Sequence, residues 1–205
     1  MSTEHDLNSL KRLVHEVLSG DITDLQVQHM RLEEQPEENR CRVEIDLNPT
    51  GGEAPMSIQG TGVGVVDATF NAAKSAFAKT YPSLRHLVVD DFRVLADMTT
   101  GRVSMGSDVM GTVRLVIRND KGRRFEFEDK SRSMTGSSIR VVLRAVSHFI
   151  NAERAVRIMS GAIENARVRN RGELVETYSL MLSELVKHAS YVEVIQSRQM
   201  VTQKG

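Results

Sequence analysis

Three glycines at alternate positions, Gly60, Gly62 and Gly64, precede an alanine-rich stretch in which apolar residues have helical spacing. Glycine lets a chain turn sharply from an extended segment into a helix and approach other groups closely. The N–H groups at the start of a helix, here residues 65–67, have no partners within the helix and attract anions. The segment therefore predicts either a tight strand-to-helix turn alone or a site for a small carboxylate, and both interpretations remain open.

These glycines do not form a nucleotide-binding motif. A dinucleotide fingerprint needs Gly-x-Gly-x-x-Gly after a buried parallel strand, and Val65 occupies the position of the third glycine. No Gly-Lys-Ser/Thr follows, as a Walker-type phosphate loop requires. We therefore predict no nucleotide, and nothing else in the sequence indicates a cofactor.

Residues that could bind a metal or catalyse a reaction are scattered. The six histidines occur singly, without His-x-His or His-Glu-x-x-His spacing. Cys41 falls on the apolar side of an alternating stretch, where a buried, unreactive thiol is expected. Asp90 and Asp91 are consecutive in a predicted strand, so their side chains point to opposite faces. The sequence predicts no catalytic residues and no metal site, and we do not expect an enzyme.

Length and composition restrict the class of protein. The 205 residues include 27 basic and 27 acidic ones, and the absence of net charge argues against nucleic acid as a partner. No apolar stretch reaches the roughly 18 residues of a membrane span, so no membrane partner is expected. A single cysteine excludes an internal disulfide and fits a reducing compartment. A soluble, cytoplasmic protein is the expectation.

Hydrophobic spacing predicts the same order of elements twice, three strands and then a helix. This order predicts an α+β fold of two βββα units, residues 23–82 and 83–158, each an antiparallel sheet covered by its helix. Strands are predicted at residues 24–34, 40–47, 54–60, 86–97, 108–118 and 123–129, and helices at residues 65–80 and 139–156.

Helices are also predicted on both sides of this doubled domain, within residues 1–22 and 159–205. The C-terminal segment has a heptad-like seam of mostly apolar residues at alternating spacings of four and three. The seam predicts either a helix that packs on its own domain or one that mediates self-association. Its positions are Leu174, Tyr178, Met181, Leu185, His188, Val192 and Ile195.

The segment GVGVVDATFNA, residues 62–72, resembles the Gly-Asn-Gly-Pro-Val-Asp-Ala motif in the C-terminal regulatory domain of 2-isopropylmalate synthases and citramalate synthases. Residues 106–138, GSDVMGTVRLVIRNDKGRRFEFEDKSRSMTGSS, are similar to the Gly-x-Asp-Ala and Gly-x-Ser patterns of that domain's second half. The resemblance covers about residues 24–155. It implies the doubled βββα arrangement that the element order also predicts.

The resemblance implies a regulatory role. In that family the domains pair, and leucine or isoleucine binds at their interface and inhibits a separate TIM-barrel acyltransferase domain. The chain is too short for that barrel of about 250 residues, so a free-standing regulatory module is implied. By position, the ligand site would include Gly62, Val63, Gly64, Val65, Asp67, Ala68 and Asp108.

Four positions depart from the family pattern. Val63 and Val65 replace the Asn and Pro of the motif, which removes a polar contact and a residue that favours the helix start. In the second half, Arg140 and Arg144 stand where the family has an acidic and a small residue. These changes predict an altered ligand, or a second half that no longer binds one.

Two functions remain open. The first is a dimeric regulatory module that binds a branched-chain amino acid or related acid and modulates a partner acyltransferase of branched-chain amino-acid biosynthesis, such as leucine biosynthesis. The second is a structural or assembly protein that kept the fold and lost the ligand. Heat of binding and a ligand-dependent melting temperature distinguish them.

Overall fold

The computed structural model describes residues 4–51, 54–96 and 110–188. Two antiparallel three-stranded sheets, each followed by a helix that packs on it, confirm the α+β fold of two βββα units. The strands are β1 (Leu25–Gln35), β2 (Arg40–Pro49), β3 (Met56–Gly62), β4 (Val88–Ala96), β5 (Gly111–Arg118) and β6 (Arg124–Ser131). The helices are α1 (Glu4–Val17), α2 (Val65–Phe77), α3 (Met134–Val168) and α4 (Gly172–His188).

Alternation along the central strands decides which face of each sheet is covered. β2 lies between β1 and β3, and β5 lies between β4 and β6. Val43 and Ile45 of β2, and Val113 and Leu115 of β5, are fully buried in one common core with α2 and α3. The opposite face of each sheet carries charged side chains in ion pairs. Each sheet is therefore covered by helix on one side only. This agrees with the alternation of buried apolar and exposed charged residues along its central strand.

α2 lies very close to β3 because two glycines of the strand have no side chains. A Cβ atom on Gly60 would lie 2.5 Å from the carbonyl oxygen of Ala68 and from the backbone nitrogen of Ala72. A Cβ atom on Gly62 would lie 2.5 Å from the backbone nitrogen of Ala68. Real Cβ atoms do not approach backbone so closely. Any other residue at these two positions would therefore push α2 away from β3.

The helix of the second unit is longer than its sequence pattern predicts. Residues 139–156 have the expected spacing, but α3 runs without a break from Met134 to Val168. Its first half packs on β5 and β6, and its second half forms a separate core with α1 and α4. The predicted start of the C-terminal extension, residue 159, therefore falls inside this helix.

The C-terminal helix packs on its own chain. Tyr178 and Met181 contact the core that α4 forms with α1 and α3, and Leu185 is completely buried there. Of the two interpretations of the heptad seam, packing within the chain therefore holds for these residues. Val192 and Ile195 lie outside the described residues.

Replacing Gly60 by alanine is expected to destabilise the protein by about 1–3 kcal/mol, because the new Cβ overlaps the backbone of α2. Gly161→Ala is the matched control: Gly161 lies inside α3 with no atom within 4 Å of its Cβ position. Alanine there is expected to stabilise the helix by about 0.5–1 kcal/mol. Denaturant unfolding measures both, and effects of the same sign would contradict the close contact between α2 and β3.

Candidate functional site

The first corner, residues 62–68, joins β3 to the start of α2. Gly64 precedes the helix with an extended backbone, and no side chain caps the helix start. Apart from the glycine itself and its two chain neighbours, no atom lies within 4 Å of the Cβ position of Gly64, and Val63 is 73% exposed. The first-turn N–H groups of α2 have no acceptor within the helix, and the open space at Gly64 leaves room beside them for an external acceptor.

Asp67 shapes the first corner with its carboxylate. Its Oδ2 atom accepts a hydrogen bond from the N–H group of Val63 at 3.1 Å. The same oxygen would lie 2.5 Å from a Cβ atom on Gly62, so the bond also depends on that glycine. Asp67 is exposed and lies in the first turn of α2, where a negative charge is favourable. The corner thus presents free N–H groups and a carboxylate side by side.

Six of the seven residues expected to form the ligand site lie together in this corner. Ala68 is fully buried in the core, whereas the other five are at least partly exposed. Asp108 lies outside the described residues. Their role in ligand binding stays a prediction. The six residues are Gly62, Val63, Gly64, Val65, Asp67 and Ala68.

A polar groove of about 500 Å³ runs beside the first corner, between the edge of β3 and α2. Arg40 and Arg42 of β2 line it, together with Asn71, which donates a hydrogen bond to the carbonyl oxygen of Thr61 at 3.0 Å. The groove adds positive charge near the corner. It offers little apolar surface, so an aliphatic group would have to lie against Val63 instead.

The second corner, residues 131–138, is closed by its own side chains. The hydroxyl of Ser133 accepts the N–H of Gly136 at 3.1 Å and so caps the start of α3. The Ser133 N–H in turn donates to the hydroxyl of Ser131 at 3.1 Å. Ser137 donates its hydroxyl proton to Asp129 at 2.7 Å. The helix start that is open in the first unit is therefore capped in the second.

Arg140 and Arg144, the two departures from the family pattern in this half, both contact Asp129. Arg140 donates from Nε and Nη2 to Oδ2 at 3.1 and 2.8 Å. Arg144 donates from Nη2 to Oδ1 at 3.0 Å and from Nη1 to the carbonyl oxygen of Glu128. The positive charge that the sequence places in this half is therefore paired within the chain.

Asp129 is the buried acid of this cluster, with 8% of its side chain exposed. Burial alone would raise its pKa. The hydrogen bonds from Arg140 and Ser137, together with the charges of Arg140 and Arg144, outweigh burial, so the pKa lies below its ordinary value of 3.8. Asp129 is consequently ionised throughout the neutral range.

Sequence reasoning missed Asp129 and its hydroxyl partner Ser137. A pattern that points to them exists in β6, where Phe125, Phe127 and Asp129 alternate on the buried face. A charged residue in such a position requires counter-charges within hydrogen-bonding distance. Arg140 and Arg144, about two and three turns into α3, supply these charges.

The fold and its two corners define a paired βββα module with one open and one closed helix start. Within the three described ranges, no three or more His, Cys, Asp or Glu side chains are grouped as a metal ion would need. None of the helices described has the length and apolarity to cross a membrane.

Residues 4–150 match the family model of the LeuA allosteric (dimerisation) domain, and the chain belongs to this family. The match confirms the resemblance to the regulatory domain of 2-isopropylmalate synthase. It also identifies the chain with the allosteric and dimerisation part of such synthases rather than with their catalytic part. No curated protein matches the chain.

Asp129→Asn is expected to lower the free energy of unfolding by a constant amount above about pH 5. The lowered pKa of Asp129 means that its contribution is present above the unfolded pKa and is lost as pH falls through the folded pKa. The difference in free energy of unfolding between wild type and Asp129→Asn should therefore become smaller below about pH 4. Unfolding in urea across this range measures it, with Asp120→Asn in the exposed turn after β5 as control. A difference that stays constant at low pH would contradict the ion-paired state of Asp129.

Proposed function

We propose that this chain is a regulatory module that binds a small branched-chain amino acid, leucine or isoleucine, or a related acid at the first corner. A second copy of the chain completes the site, and the complex modulates a partner acyltransferase of branched-chain amino-acid biosynthesis. Membership of an allosteric and dimerisation family supports this assignment at the level of class. The open start of α2 is the observation that supports the first corner as the position of the site.

The difference between the two helix starts supports the first corner as the position of a carboxylate. α3 is preceded by Ser133, whose hydroxyl oxygen accepts a hydrogen bond from a first-turn N–H group. α2 begins with Gly64, which offers no side-chain acceptor. A ligand carboxylate at α2 would gain charge-assisted hydrogen bonds and a favourable interaction with the helix dipole. The same carboxylate at α3 would compete with an existing cap.

Asp67 favours an amino acid over an acid that lacks an amino group. Its carboxylate lies next to the N–H groups that would hold the ligand's carboxylate. A negative ligand would be repelled by Asp67, whereas the ammonium group of a zwitterion offsets that repulsion. The exposed Val63 and the half-buried Val65 and Val66 supply apolar surface for an aliphatic side chain.

Two of the four edge strands, β1 and β4, leave apolar residues uncovered, which supports a second copy of the chain as the partner. Met30 and Leu32 of β1, and Phe92 and Val94 of β4, are between 36% and 49% exposed. They pair with buried residues of the central strands and so point to the helix-covered side. However, α2 lies mainly over β3 and β2, and α3 over β6 and β5. We call these four residues the uncovered strand faces.

One uncovered residue of each sheet, Leu32 or Val94, lies in a row of paired residues that ends two residues before a corner. In the first sheet Leu32 pairs with Val43, and Val43 pairs with Gly60 two residues before the first corner. In the second sheet the corresponding row ends at Val94 and Asp129. Since neighbouring strands are about 4.8 Å apart, the Cα atoms of Leu32 and Gly60 are about 10 Å apart. This placement supports a ligand site at the interface.

Titration calorimetry with leucine, isoleucine, valine and 2-hydroxy-4-methylpentanoate tests the ligand. We expect heat from at least one of the amino acids and weaker binding of the hydroxy acid. Gly64→Asp should lower the affinity about 10- to 100-fold, because its carboxylate accepts the same N–H groups. The melting temperature of this variant should not fall, because aspartate is a good N-cap.

Gly172→Asp is the matched control, since it adds a carboxylate at the start of α4 and Gly172 has no atom within 4 Å of its Cβ position. Its affinity should equal that of wild type. Absence of heat for every ligand with folded wild type, or unchanged affinity in Gly64→Asp, would reject the first corner as the site. Regulation is tested separately by the rate of acyl transfer of a barrel-only synthase with and without this chain.

Leu32→Glu is expected to weaken dimerisation at least about 100-fold, because association would bury an unpaired carboxylate. Val168→Glu is the control, since Val168 is 79% exposed on the far end of α3, away from the sheets. Light scattering after size exclusion measures the mass of each variant. A dimer that persists in Leu32→Glu, or dissociates in Val168→Glu, would place the interface elsewhere.

The second candidate function, an assembly protein without a ligand, is favoured by the closed second corner. It predicts a stable oligomer whose melting temperature no amino acid changes. A bound ligand at 100 times its dissociation constant would instead add about 2.7 kcal/mol to the free energy of unfolding. The same calorimetry and a thermal scan with leucine therefore decide between the two candidates.

A further inference from the structure

Asp129 occupies a defined place in the second unit that has a counterpart in the first. Asp129 is the third residue from the end of β6, as Gly60 is the third from the end of β3. Its hydroxyl partner Ser137 is the fourth residue of α3, as Ala68 is the fourth of α2. The same strand and helix positions therefore meet in both units. In the first unit the backbones of Gly60 and Ala68 are in contact, and in the second the Asp129 carboxylate accepts a hydrogen bond from the Ser137 hydroxyl.

The helix residues that contact Asp129 also have counterparts. Arg140 is the seventh residue of α3, and the seventh of α2 is Asn71, whose side chain donates to the carbonyl oxygen of Thr61. In the second unit the arginine instead directs two of its nitrogen atoms at one carboxylate oxygen of Asp129. Serine, two arginines and a buried carboxylate together form a complete carboxylate-binding cluster.

We infer that Asp129 is an internal carboxylate that permanently occupies the cluster of Ser137, Arg140 and Arg144 beside the second corner. Because Ser133 already caps the start of α3, the second corner has no free position for an effector carboxylate, and each chain takes its effector at the first corner alone. The second unit then behaves as constitutively occupied, because β6 is tied to α3 whether or not an effector is present. The limit of one effector per chain rests on the proposed function. The occupation of the cluster by Asp129 does not.

The chemistry of the cluster defines what could replace Asp129. Removing the side chain takes the shared carboxylate acceptor away from the Ser137 hydroxyl and from the guanidinium groups of Arg140 and Arg144, although Arg144 keeps the carbonyl oxygen of Glu128. Donors in this arrangement select a small monocarboxylate, and arginine is especially suited to one. Formate fits best, because it is a carboxylate without further bulk.

Chemical rescue tests the inference with the full chain. Asp129→Ala should melt lower than wild type, and sodium formate should restore part of the loss. At ten times the dissociation constant of formate, the folding equilibrium constant should rise about tenfold. Sodium chloride at the same ionic strength should not do this. Asp129→Asn, which leaves no space for formate, is the matched control and should respond to formate no more than wild type.

The outcomes separate this inference from the proposed function. Formate-specific rescue of Asp129→Ala supports the internal carboxylate even if wild type binds no amino acid. Equal responses of Asp129→Ala and Asp129→Asn to formate would overturn it. Calorimetry of wild type with leucine needs no variant: one leucine per chain supports the single effector position. Two per chain would overturn it and leave the proposed function standing.

Discussion

Hydrogen bonds from the middle of α3 join the beginnings of the two units. The side chain of Asn151 pairs with both backbone groups of Thr23, accepting its N–H at 2.9 Å and donating to its carbonyl at 2.7 Å. Glu153 is completely buried, accepts the N–H of Ser83 at 3.0 Å and pairs with Arg157 at 2.5 Å. Buried polar groups are costly unless they are satisfied. These bonds therefore fix the position of α3 relative to both sheets.

Because α3 is one continuous helix, fixing its middle also fixes the positions of both of its ends. Its first turn forms the second corner, and its last turns form the core with α1 and α4. α2 also packs on α3, so a change at the first corner meets the same helix. The proposed effector at α2 and the helical extension are thus connected through packed helices rather than through a flexible linker. This contiguity provides a physical path for coupling.

The element order was predictable because the central strands alternate strictly, and a half-buried strand must do so. The length of α3 was not predictable from its own period, since its second half is buried by α1 and α4 instead of a sheet. The first corner followed from glycine spacing, but the requirement for Gly60 and Gly62 came from the approach of α2, which no local pattern encodes. Arg140 and Arg144 stand out in the sequence as departures from the family pattern, whereas their partner Asp129 does not.

One substitution explains why the two corners differ in several residues at once. A buried carboxylate at position 129 without partners would cost several kcal/mol, so it requires cations such as Arg140 and Arg144 on the facing helix. Gly60 at the matching position removes that requirement and lets α2 approach until no side chain fits between strand and helix. The first unit therefore cannot supply a carboxylate from that position. Under the proposed function, the first unit takes its carboxylate from an external ligand, which would bind at the uncapped start of α2 and not at Gly60, where no space remains.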